Sequence, residues 1–155
     1  AASVRVGQAI GRAKPRSARR AGWTAIFLGA SFMAVAGVVF FSVPDLILRA
    51  FTDNAAVIAA GIPLFYMAAL FQLFDGIQAV ATGAMRGAAE TKTPMLANLV
   101  GHWAIGLPVG YYLCYELGWG ATGIWFGLSL GLILVALYLL RAWAHLKMRN
   151  ALSGY

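Results

Sequence analysis

Four long stretches of the chain, 21–44, 54–74, 93–115 and 117–140, contain no Asp, Glu, Lys or Arg. Each clears the roughly 20 apolar residues that an α-helix needs to cross a hydrocarbon core of about 30 Å. Their apolar positions are continuous rather than alternating, which excludes the strands of a transmembrane β-barrel. The polar residues at their ends read as helix punctuation. Asp53 and Asn54 can cap the second stretch, and Thr93 before Pro94 reads as an N-cap followed by proline at the first helical position. Gly118-Trp119-Gly120 makes a tight turn between the last two stretches. The second stretch runs on past Asp75 to Met85, so it forms one long helix with a single acid inside. Pro63 and Pro108 lie within stretches, where they free backbone carbonyls and bend the helix. Membrane helices tolerate this when neighbours or water satisfy those groups.

The expected fold is an all-α integral membrane protein with four transmembrane helices, at 21–43, 54–85, 94–115 and 121–141. Residues 1–20 form the end of a preceding helix and a basic loop. Segments 44–53 and 86–93 are loops, 116–120 is a turn, and 142–155 is a tail. The chain opens without Met in AASVRVGQAIG, which reads as the close of an earlier helix, so a longer parent protein is expected.

Composition narrows the class. Of 155 residues, 61% are hydrophobic and 11% charged, whereas soluble domains run near 45–50% apolar and about 25% charged. Disorder is excluded on the same ground. Twelve basic residues against five acidic ones give +7, yet a nucleic-acid module could not hold four uncharged windows in solution. Membrane lipid is the expected partner, and nucleic acid is not. The single cysteine, Cys114, cannot close an internal disulfide, and no Cys/His cluster has metal spacing. Gly7 and Gly11 do not make a phosphate loop, because no Gly-Lys-Ser/Thr follows.

The basic residues set the orientation. Arg5, Arg12, Lys14, Arg16, Arg19 and Arg20 precede the first span; Arg86 and Lys92 lie in the 86–93 loop; Arg141, Lys147 and Arg149 lie in the tail. The opposite loops hold only Arg49. By the positive-inside rule, both termini of this segment and the 86–93 loop are cytoplasmic, while 44–53 and 116–120 face outward. The acid-free, Arg-rich opening also fits a mitochondrial transit peptide, but a topology-setting loop explains it with less.

Asp75 stands eleven residues from Arg86, or roughly 16 Å inward from the cytoplasmic end of its helix. That is close to the midplane, where an Asp costs on the order of 2.5–3.5 kcal/mol unless it faces a bundle interior or an aqueous cavity. Gln72, Asp75, Gln78 and Thr82 recur at helical spacing and are expected on one face. One reading is a carboxylate that takes either a proton or a cation, each excluding the other. The blander one, which suits the glutamines, is a polar stripe bonding neighbouring helices. His102 lies roughly 10 Å from the cytoplasmic end, counting from Met95, and either relays protons or bonds a neighbouring helix. Glu116 is expected in solvent, and the Trp and Tyr residues in the belt or in packing. Gly123, Gly127 and Gly131, like Ala79, Gly83 and Gly87, are small-residue stripes for close helix approach.

The opening SVRVGQAIG, the stretch FQLFDGIQAVATGAMRGAAETKTPM at 71–95, and HWAIGLPVGY with the later GIWFGL resemble the MATE multidrug and toxin extrusion transporters, in their NorM-like branch. The resemblance covers nearly the whole chain. Its most specific parts are Gln-x-x-Asp-Gly-x-Gln and the G-x-x-R-G-x-x-x-T-x-x-P turn. It implies the last four helices of a twelve-helix, two-lobe transporter, within the C-terminal six-helix lobe, with residues 1–11 closing the eighth helix. It also implies exchange of organic cations, drugs or other xenobiotics for Na⁺ or H⁺ across the inner (plasma) membrane, with no further cofactor. Asp75 matches the acid of the tenth helix that takes part in binding the coupling cation, and any Na⁺ site would be there. A second acid of that site belongs to the seventh helix. Phe71, Gln72, Gln78, Thr82 and His102 are then the expected cavity-lining residues. Phe71 stands where some members carry tyrosine, which keeps the aromatic face without the hydroxyl.

Three rivals are weaker. A lipid-linked saccharide flippase would need basic residues inside the spans, and there are none. An enzyme using Asp75 and His102 lacks a second carboxylate for a phosphate-transfer metal, so no catalytic residue is expected. A small four-helix assembly protein requires Ala1 to lie near a true start.

Overall fold

The computed structural model describes residues 1–146; Lys147 and Arg149, counted above with the basic tail, lie outside the described residues. All regular structure among these residues is helical. A short helix α1 (Ala2–Gly11) leads into the long α2 (Pro15–Ser42) and a single turn and a half, α3 (Pro44–Arg49). The longest helix, α4 (Ala55–Gly87), follows. Next come α5 (Lys92–Asn98), a π-helical segment (Leu99–Gly106) and α6 (Leu107–Tyr115), which join end to end into one rod. The last helix is α7 (Ala121–His145). The helices α2, α4 and α7 are each long and apolar enough to cross a membrane. The rod from Lys92 to Tyr115 takes the place of the third expected span, 94–115.

Several boundaries differ from the sequence expectation for physical reasons. Pro15 pre-sets the first helical position, so α2 begins well before its uncharged stretch and carries Arg16, Arg19 and Arg20 on a helix rather than a loop. The outer loop at 44–53 is largely α3, which Asp45 and Arg49 clip one turn apart at 2.7 Å. Asn54 caps α4 as its type suggests, accepting from Ala56 N at 3.0 Å and Val57 N at 3.4 Å. Thr93 does not cap α5. Instead Glu90 Oε1 accepts from Thr93 N at 3.1 Å and from its hydroxyl at 3.0 Å, so a carboxylate from the preceding loop replaces the expected hydroxyl. Both glycines of the 118–120 turn have positive φ, 70° and 57°, which L side chains rarely adopt.

The tight core lies at one end of the bundle, where α1, the start of α2 and the ends of α4 and α7 meet. Val6, Ala18, Ala81, Met85, Leu139 and Trp143 are buried there. Residues 2–11 are therefore an integral layer of the fold. Glycine lets the helices approach. The Trp143 ring lies directly on Gly22, and α7 presents Gly127 to the backbone of Gly110 and Gly131 to Gly101. A Cβ on Gly87 would meet the Ser3 backbone. The Gly123, Gly127 and Gly131 stripe thus acts in packing, whereas of Ala79, Gly83 and Gly87 only Gly87 makes a close approach, Ala79 being exposed. Away from this end, Phe32 and Phe27 are 71% and 70% exposed, as suits side chains meeting lipid rather than water.

Candidate functional site

Between α4, the α5 rod and α7 runs an open groove of about 640 Å³. From α4 it receives Phe71, Asp75 and Gln78, and from α5 it receives Asn98. His102 and Trp103 come from the π-helical segment, and Leu132 closes the floor from α7. Asp75 is the one formally charged side chain in this lining. It is half-buried, and among the described residues no basic group pairs with it.

Helical geometry explains which expected residues reach the groove. Successive residues advance by about 100°. Phe71 and Gln78 therefore fall about 40° and 60° to one side of Asp75, while Gln72 falls about 60° to the other. Gln72 is not part of the lining. Thr82 shares the azimuth of Asp75 but lies two turns on, where Ala81, Ala84 and Met85 are already in the packed core. Its hydroxyl is buried without a protein partner among the described residues, as is Gln78 Oε1.

One polar residue escaped the sequence reading. Asn98 connects the site: the Gln78 side-chain amide donates to Asn98 Oδ1, and Asn98 Nδ2 donates to Pro94 O at 2.8 Å. Its backbone carbonyl faces His102 Nδ1 at 3.2 Å. A carbonyl only accepts, so Nδ1 carries the hydrogen and a neutral ring keeps Nε2 as its acceptor. The signal was available: Asn98 stands four residues after Pro94 and four before His102, an amide on the helix face of the one histidine in a span.

The local backbone is also unusual. The carbonyl opposite Pro108 cannot receive a hydrogen bond from it, and the eight residues Leu99–Gly106, ending two before this proline, adopt π-helix, a form that recurs at functional sites. Gly101 and Gly106 within that segment let the widened helix lie against α7. Phe71 is steadied by Trp125 of α7, with ring centroids 6.3 Å apart and an edge-to-face angle of 80°. The result is an apolar-walled groove holding one acid, an amide pair and an imidazole. Such a lining favours a cation over an anion.

A family model for MatE matches residues 1–112, which include the whole of the groove apart from its α7 floor. The chain belongs to the MatE family. Relatives include a probable multidrug resistance protein NorM of Mesorhizobium japonicum, 48% identical over 148 residues, covering 92% of this chain and 32% of that protein. The multidrug resistance protein NorM of Burkholderia vietnamiensis is 43% identical over 160 residues, covering 99% and 34%. The chain spans about a third of the length of these relatives. Its fold matches the crystal structure of the eukaryotic MATE transporter AtDTX14 with a TM-score of 0.91, at 22% identity, over 98% of this chain and 35% of that one. The family and the apolar helices together make this a membrane protein, and the resemblance read from residues 71–95 falls inside the matched region.

Proposed function

We propose that this chain forms part of the C-terminal lobe of a cation-coupled antiporter that exports organic cations, drugs among them, in exchange for Na⁺ or H⁺. The observation that carries the reading is Asp75, the sole charge in an open, aromatic-walled groove near the middle of α4. The names of its NorM relatives, multidrug resistance proteins, support the substrate class.

In this mechanism the Asp75 carboxylate holds a coupling ion or a proton in one state and releases it in the other. A cationic substrate is favoured while the carboxylate is bare, and a coupling ion or proton displaces it, because one site cannot hold both charges at full strength. Phe71 and Trp103 offer apolar and ring-face contact to an organic cation. Rocking of two lobes about the groove opens it to each side in turn, as in transporters with midplane sites between repeats. The protein sits in the plasma membrane with the basic ends of this segment cytoplasmic. The test is transport by the complete protein in proteoliposomes. An imposed Na⁺ or proton gradient should drive a fluorescent organic cation uphill, and movement indifferent to both gradients contradicts coupling.

A further inference from the structure

The start of α2 carries a charged feature that transport leaves unused. Arg16, Arg19 and Arg20 stand with Trp23 and Thr24 around a cleft of about 450 Å³. Three cations on one concave surface repel each other unless an anion joins them, and among the described residues no carboxylate does. The ion pair that the structure holds, Asp45 with Arg49, lies at the opposite end of the bundle. Glu90, at the same end as the cleft, is engaged by Thr93. Arg19 donates to Ala144 O at 2.5 Å, which ties its guanidinium to the end of α7.

Arg16, Arg20, Trp23 and Phe27 recur at i, i+4, i+7 and i+11, so they form one stripe along α2. All four are exposed. The stripe passes from guanidinium to indole to phenyl, the order in which a membrane passes from headgroup to interface to hydrocarbon.

We propose that this cleft binds the phosphate of an anionic phospholipid. Arg16 and Arg20 hold the phosphate oxygens, because the guanidinium fork matches that geometry. The Thr24 hydroxyl donates to the same group, Trp23 lies at the glycerol level, and an acyl chain follows Phe27 down α2. Basic pockets beside membrane helices recognise headgroups in this way. The apolar continuation of the stripe selects a lipid over a soluble phosphate.

The test is native mass spectrometry of the complete protein released from nanodiscs containing phosphatidylglycerol and phosphatidylcholine. The Arg16→Gln/Arg20→Gln variant should lose phosphatidylglycerol binding by about twenty-fivefold, or about fivefold per guanidinium. The Arg12→Gln/Lys14→Gln variant removes the same charge outside the cleft and should change binding by less than about twofold. Equal losses in the two variants would overturn the proposal, since bulk charge alone would then explain binding. So would equal retention of phosphatidylcholine by the unaltered protein, or displacement of the lipid by millimolar glycerol phosphate.

Discussion

The Gln78 side-chain amide on α4 donates to the Asn98 side-chain carbonyl on α5. This bond crosses the groove wall about one turn from Asp75, and Asn98 extends it to Pro94 and His102 along its own rod. One asparagine therefore holds the wall that the acid faces and sets the hydrogen position on the histidine ring.

Replacing Asn98 with Ala should leave the Gln78 amide unpaired and lower stability by about 0.6–2 kcal/mol, the range for interhelical hydrogen bonds in membranes. Because Gln78→Ala removes the other half of the same bond, the double variant should lose less than the sum of the singles. Unfolding of the four proteins in bilayers measures the coupling, and strictly additive losses would mean that the bond contributes nothing.

The contact between α6 and α7 depends on the absence of a side chain at Gly127, where a Cβ would come within 3.0 Å of the Gly110 backbone and of Gly106 O. Backbone cannot give way as a side chain tip can. Gly127→Ala should thus cost about 1–3 kcal/mol, seen as a lower melting temperature in detergent. Gly11→Ala serves as control, because nothing lies within 4 Å of its Cβ position.

Trp143 is fully buried against Gly22. Truncation to Ala empties the tight end of the bundle and should cost about 3–5 kcal/mol, with a matching fall in folded protein recovered from membranes. Phe32→Ala, on the exposed apolar face, should leave recovery close to that of the unaltered protein.

The exposed Asp45–Arg49 pair makes the opposite prediction. The hydrogen bond and charge of Asp45 raise the Arg49 pKa above its ordinary value. A raised pKa contributes stability below it and loses that contribution only at still higher pH, so Arg49 stays cationic throughout the working range. Arg49→Gln should leave both melting temperature and its pH profile unchanged, as exposed pairs contribute little.

Much of this was legible in the sequence because membranes impose simple rules. Four uncharged stretches gave the helices, and Asp75 announced itself as a charge far from either end of its helix. Small residues at four-residue spacing announced the close contacts that Gly127 and Gly131 make. Other features depend on partners distant in sequence. The capping role of Glu90 rests on loop geometry that propensity does not encode. Gln72 seemed equivalent to Gln78 by spacing, yet only one side of α4 faces the rod. Asn98 was legible in principle, but its importance comes from lying opposite Gln78, twenty residues away.

The most direct test of the account is coupled efflux by Asp75→Asn in the complete protein. The substitution keeps the size and shape of the side chain, removes its charge and exchanges one acceptor oxygen for an NH2 donor. The variant should insert and melt as the unaltered protein does, yet fail to drive an organic cation against its gradient when Na⁺ or proton gradients are imposed. Efflux at the unaltered rate, with the same dependence on the gradient, would contradict the central claim and remove Asp75 from the mechanism.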